Sequence, residues 1–136
     1  MTKRYGNLAL LYSIMAMVFG VFYREFTKFR HFSGLTNLSV IHTHYFLLGM
    51  FFFLLLMAVE KVFSFTGNKV KKCLVFYQIG INITALGFLL RGLAQVLGTE
   101  LSRGMDASIS GIAGIGHLLT GVSMVLILLE IRKKAV

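Results

Sequence analysis

Three histidines fall inside long apolar runs of this 136-residue chain: His42 and His44 in IHTHYFLLG, residues 41–49, and His117 in GIAGIGHLLTG, residues 111–121. An imidazole in such a run is expensive in lipid unless it faces protein, a cavity or a partner. It is also a standard axial ligand of haem iron. Gly49 lies seven residues after His42, on nearly the same helical face, and Gly114 and Gly121 flank His117 at minus three and plus four. Glycine lets another body approach a helix closely, and a flat macrocycle between helices needs that clearance. The expectation is a haem b with His42 and His117 as its metal ligands. His44, two residues from His42, points about 200° away on a helix. It serves as a hydrogen-bonding neighbour, faces a partner chain or touches the haem edge. The same glycines also suit plain helix packing in a membrane, so a structural or transport bundle without cofactor is the alternative.

The elements that must position these residues are helices. The chain is 57% hydrophobic with no Pro and no Trp, too apolar for an ordinary soluble domain and sized for one bundle. Four apolar stretches, about 5–23, 37–59, 73–97 and 108–129, are near the ~20 residues that cross a bilayer as a helix. The fold class is therefore all-α, a four-helix transmembrane bundle forming a single domain over residues 1–136. The first stretch is retained as a helix, because Phe19–Phe26 is aromatic-rich and offers no small-residue cleavage site. Cys73 is the sole cysteine, which excludes an internal disulfide and a Cys-x-x-Cys motif. Structural zinc needs four ligands, and His42 and His44 diverge with no acid or cysteine at ligand spacing. The net charge of +9 comes mostly from residues just outside the apolar runs, where they contact lipid headgroups and set topology. Nucleic acid is not an expected partner.

Four spans put both termini on one side. That side, with the second connection, carries Lys3, Arg4, Lys61, Lys69, Lys71, Lys72, Arg132, Lys133 and Lys134, against Arg24, Lys28, Arg30, Arg91 and Arg103 on the other. The excess places the termini in the cytoplasm. Helices two and four then start at the outer surface, and His42 and His117 reach similar depths in the outer half. Arg91 ends the face Gly80–Thr84–Gly87–Arg91 on the third helix in that same half. Arginine recognises carboxylates bidentately, so Arg91 is the first choice for a haem propionate and Arg24 or Arg30 the second. Snorkelling at the interface accounts for the same residues without a cofactor. Glu100 and Asp106 are placed to neutralise Arg91 or Arg103. Gln78 and Asn82 suit hydrogen bonds between helices.

IHTHYFLLG resembles the His-Thr-Asn and His-Ala-His segments in the second helix of haem-copper oxidase and nitric oxide reductase large subunits and of the NnrS haem-binding membrane family. In the oxidases the first histidine of that segment ligates the low-spin haem, and the resemblance carries this role to His42. The further histidines of an oxidase haem-copper centre are missing here. YREFTKF, HTHYFLLG, RGLAQVLGTELSRGMD and GIAGIGHLLTG also resemble, over nearly the whole chain, a family of short bacterial membrane proteins of unknown function. These resemblances imply a multi-pass protein of a bacterial cytoplasmic membrane, in contact with lipid, working by electron transport or by binding a diatomic gas. An electron donor and a homodimer are the partners they leave open.

Overall fold

The computed structural model describes residues 1–135. Four helices account for nearly all of it: α1 Thr2–Phe29, α2 Leu38–Phe63, α3 Asn68–Leu97 and α4 Arg103–Ala135. Each contains a window apolar enough to cross a membrane, and no strand occurs among the described residues. The four-helix all-α architecture is as expected. The helices run longer than the apolar stretches. At 1.5 Å per residue the 28 residues of α1 extend about 42 Å and the 33 of α4 about 50 Å, beyond the ~30 Å hydrocarbon core. Hydropathy marks the part that lipid surrounds, whereas the backbone hydrogen-bond ladder continues into the interface.

The ends are set by local chemistry. His31 closes α1 with φ 51°, and Phe32 N–H reaches back to Thr27 O at 2.9 Å. This left-handed position usually takes glycine, and histidine is among the few side chains enriched there. His31 thus has a capping role. Gly98 closes α3 in the same way, with φ 66° and Thr99 N–H on Ala94 O.

The helices alternate in direction. Tyr5 bonds Thr66 at 2.7 Å and Lys69 bonds Glu130 at 2.9 Å, so both termini and the second connection share one end. Thr36 on Gly92 O, Asn37 N–H on Gln95 and Arg91 on Asp106 gather the first and third connections at the other, here called the far end.

Two different packings hold the bundle. Helices α1, α2 and α3 share an aromatic core in which Tyr5, Tyr12, Phe53 and Tyr77 are buried, with Tyr12 stacked on Phe53 at 5.6 Å between centroids. At its edge the exposed Asn82 donates from Nδ2 to Tyr12 Oη at 3.1 Å, and Tyr45 Oη donates to Asn82 Oδ1 at 3.0 Å. One amide thus ties three helices together, as its sequence position suggested. Gln78 instead turns back to Leu74 O on its own helix. Residues Tyr45–Phe51 of α2 widen into a π-helical turn, and Tyr77 Oη donates to Leu48 O at 2.8 Å within it. A wide turn of this kind re-phases the side chains on either side.

Helix α4 is attached to α3 along a narrow stripe of small residues. Gly80 faces Thr120, Thr84 faces Gly116, and Gly87 faces Ala113, an antiparallel register. A Cβ on Gly80 would lie 2.7 Å from Thr120 N and 2.8 Å from Gly116 O. Without an apolar driving force between helices in lipid, close approach of this kind supplies the attraction. Gly114 and Gly121, by contrast, have nothing of the chain within 4 Å of a Cβ. Gly116→Leu is therefore expected to lower thermal stability in detergent by about 1–3 kcal/mol or more, while Gly114→Leu changes it little. Equal losses would contradict this register.

Candidate functional site

The 200° divergence of His42 and His44 around α2 sends them to different neighbours. His42 packs toward α1, with its Cβ 3.6 Å from the Cβ position of Gly20 and its ring stacked on Tyr23 at 6.5 Å. Its Nδ1 is buried without a hydrogen-bond partner. His44 faces the other way, toward α3 and α4. Its ring centroid lies 5.9 Å from that of His117, with the planes 84° apart. The expected pairing of His42 with His117 is thus not the one the helices bring together; His44 stands beside His117.

The glycines sort in the same way. Gly49 does share the α1-facing side of α2 with His42, but the body that approaches it is Tyr12, 2.6 Å from its Cβ position. No clearance for a cofactor remains there. Gly114 and Gly121 do face open space beside His117.

Both paired imidazoles are fixed by their own helices. His44 Nδ1 lies 2.9 Å from Val40 O, and His117 Nδ1 lies 2.9 Å from Ala113 O, each four residues back. A carbonyl only accepts, so Nδ1 carries the proton in each ring. The lone pair of a neutral ring is then on Nε2. Tying one ring nitrogen to a carbonyl to set the other as ligand is how metal-binding histidines are oriented. Phe88 of α3 packs against both rings, at 4.9 Å from His44 and 5.7 Å from His117. Nothing in its sequence context marked Phe88, since an isolated phenylalanine in an apolar run has many roles.

Several spaces adjoin the pair. A cleft of about 190 Å³ lies between α2, α3 and α4, lined by His44, Ile81, Thr84, His117, Gly121 and Met124. It shares His117 and Gly121 with a lateral apolar groove of about 410 Å³ along α4. At the far end a vestibule of about 390 Å³ is bounded by His44, Phe88 and His117 and by Asn37, Ser39 and Gln95. The cleft alone is smaller than the roughly 300–1,000 Å³ usual for ligand sites. The groove and the vestibule are each within that range. Two imidazole donors are a set that suits a haem, whose macrocycle would supply the other ligands. It does not build a protein-only metal centre, and among the described residues no three of His, Cys, Asp and Glu gather to hold a metal ion. Cys73 is buried and unpaired.

The arginines are engaged elsewhere. Arg91 Nη2 bonds the Asp106 carboxylate and backbone oxygen and lies 2.8 Å from Ser110 Oγ. The neutralisation of Arg91 by Asp106 is as expected, and it pins α3 to α4, so this nitrogen is not free for a propionate. Arg24 is highly exposed on α1 and lies 3.6 Å from Glu25; α1 does not border the cleft. Of the polar side chains on α3 that a transport bundle could use, Asn82 is bonded to Tyr12 and Tyr45, Gln78 to Leu74 O and Arg91 to Asp106, while Thr84 lines the cleft. They do not form one continuous path.

No curated protein and no solved structure matches the chain. The likeness of IHTHYFLLG to the oxidases, the nitric oxide reductases and NnrS therefore rests on that segment alone. The family model described as protein of unknown function (DUF2871) matches residues 2–134, nearly the full length, and the chain belongs to that family.

Proposed function

We propose that this protein is an integral membrane haem-binding protein in which His44 of α2 and His117 of α4 present Nε2 to the iron of a b-type haem. The observation that carries the reading is the imidazole pair: two rings 5.9 Å apart, each held through Nδ1 by its own helix. A bound haem would supply one-electron redox chemistry or a site for a diatomic gas. The chain's residues orient the two imidazoles, pack Phe88 against both rings and leave the lateral side open to lipid. With both histidines engaged, such a haem would suit electron transfer; His44 lies beside the π-helical turn of α2.

The measurement is a reduced-minus-oxidised visible spectrum of protein produced with ample haem. A Soret band with sharp bands of a low-spin haem is expected, and His44→Ala and His117→Ala each lose the low-spin bands or the haem itself while His42→Ala retains both. Absence of a Soret band overturns the haem reading. Loss in His42→Ala with retention in His44→Ala returns the ligand role to His42.

We further propose a bacterial cytoplasmic membrane location with both termini in the cytoplasm. The support is the nine-to-five split of basic residues between the two ends. With Cys73 replaced by Ser, single cysteines at Thr2 and Asn68 are expected to react with impermeant reagent only from the cytoplasmic side, and one at Ser102 only from outside. The reverse pattern inverts the orientation.

A further inference from the structure

We propose that the far-end vestibule is the route by which a small, uncharged, water-soluble ligand reaches the imidazole pair, and that this route is separate from the lipid-facing groove. It stands apart from the haem reading, because it concerns access to His44 and His117 whatever they hold.

The vestibule opens where the first connection meets the end of α3. Thr36 donates to Gly92 O at 3.1 Å, and Asn37 N–H donates to Gln95 Oε1 at 2.8 Å. Gly92 makes this junction close, since a Cβ there would lie 2.6 Å from Leu38 N. The rim is therefore built from fixed polar groups. Ser39 Oγ donates to Thr36 O at 2.8 Å, which leaves its lone pairs outward, and Gln95 keeps its amide donors after accepting from Asn37. Val40, Phe88 and the half-buried His44 also line the space, and His117, itself exposed, borders it. A space of about 390 Å³ lined this way has room for several waters, each of which needs about 30 Å³ and polar partners.

The lining also sets the ligand class. Apart from the two histidines, none of the described residues around the vestibule is ionisable. The nearest basic residue on α3, Arg91, has its Nη2 bonded to Asp106 and Ser110. An ion moving inward sheds water and meets no counter-charge, a cost a neutral molecule does not bear. The groove along α4 differs: its walls are His117, Leu118, Gly121, Val122, Val125 and Leu126, apolar apart from the imidazole, and Leu118 is 67% exposed. Lipid chains suit that side and water does not.

Substituted-cysteine accessibility in haem-free membranes tests this directly. In a Cys73→Ser background, His117→Cys, His44→Cys and Ser39→Cys are treated with methanethiosulfonate reagents that are neutral, anionic or cationic, added from each side in turn. Leu118→Cys is the lipid-facing control. The thiolate is the reacting form and needs water, so Leu118→Cys is expected to react at least about tenfold more slowly than His117→Cys. The neutral reagent should outpace both charged ones at His117→Cys and His44→Cys, from the Ser102 side only. Adding Gln95→Trp to fill the rim should slow both inner cysteines and leave Ser39→Cys reactive. If one inner cysteine variant fails to accumulate in the membrane, the other carries the test. Reaction of the inner cysteines no faster than Leu118→Cys, or unaffected by Gln95→Trp, overturns the proposal, as does equal reaction with all three reagents.

Discussion

Where Gly80 meets Thr120 and Thr84 meets Gly116, the backbones of α3 and α4 come close enough that no added Cβ fits without movement. The rest of the site depends on this crossing. It sets the depth of His117 relative to α3, and so relative to Phe88 and to His44 of α2 across the cleft. It also confines the contact to one stripe, Gly116, Thr120, Ser123 and Ile127, leaving the other faces of α4 free. A bulkier stripe would push α4 outward and separate the imidazoles. In lipid, where no apolar driving force holds helices together, that close packing is what keeps the cleft narrow.

The second constraint is the aromatic core on the opposite side of α2. Asn82, on the exposed edge of that core, bonds tyrosines from α1 and α2, and an amide facing lipid is costly unless it is paired. This fixes the rotation of α2 about its axis. With Ile41, Tyr45 and Gly49 committed to the core, His42 falls against Gly20 and Tyr23 of α1, and His44 is turned to the cleft. The two packings therefore act together: one orients α2 and the other positions α4, and the imidazole pair forms where they meet.

Much of this was legible in the sequence. Four apolar runs of spanning length give the helices, Thr66-Gly67-Asn68 marks the second connection, and Gly114 and Gly121 are the open positions beside His117 that their spacing suggests. What was not legible is which of two histidines turns toward α4. His42 and Gly49 do share a face, but spacing does not say what approaches that face, and the body there is the ring of Tyr12, from a helix whose register no local pattern reveals. The π-helical turn at Tyr45–Phe51 adds a phase change that heptad counting omits. The pairing of Arg91 with Asp106 was legible from their places at the third connection, but not that Asp106 and Ser110 together would occupy the nitrogen a propionate needs. Helix ends were underestimated because hydropathy falls off before the hydrogen-bonded backbone does.

The functional account comes down to one structural relation, that imidazoles from α2 and α4 share a site with Nε2 of both rings available. Electron paramagnetic resonance of the ferric, haem-loaded protein reads that relation most directly, because two imidazole ligands make the iron low-spin and one leaves it high-spin. The account predicts a low-spin signal in the unaltered protein that gives way to high-spin iron or to haem loss in both His44→Ala and His117→Ala. A high-spin signal in the unaltered protein, or a low-spin signal that survives His44→Ala, would contradict it.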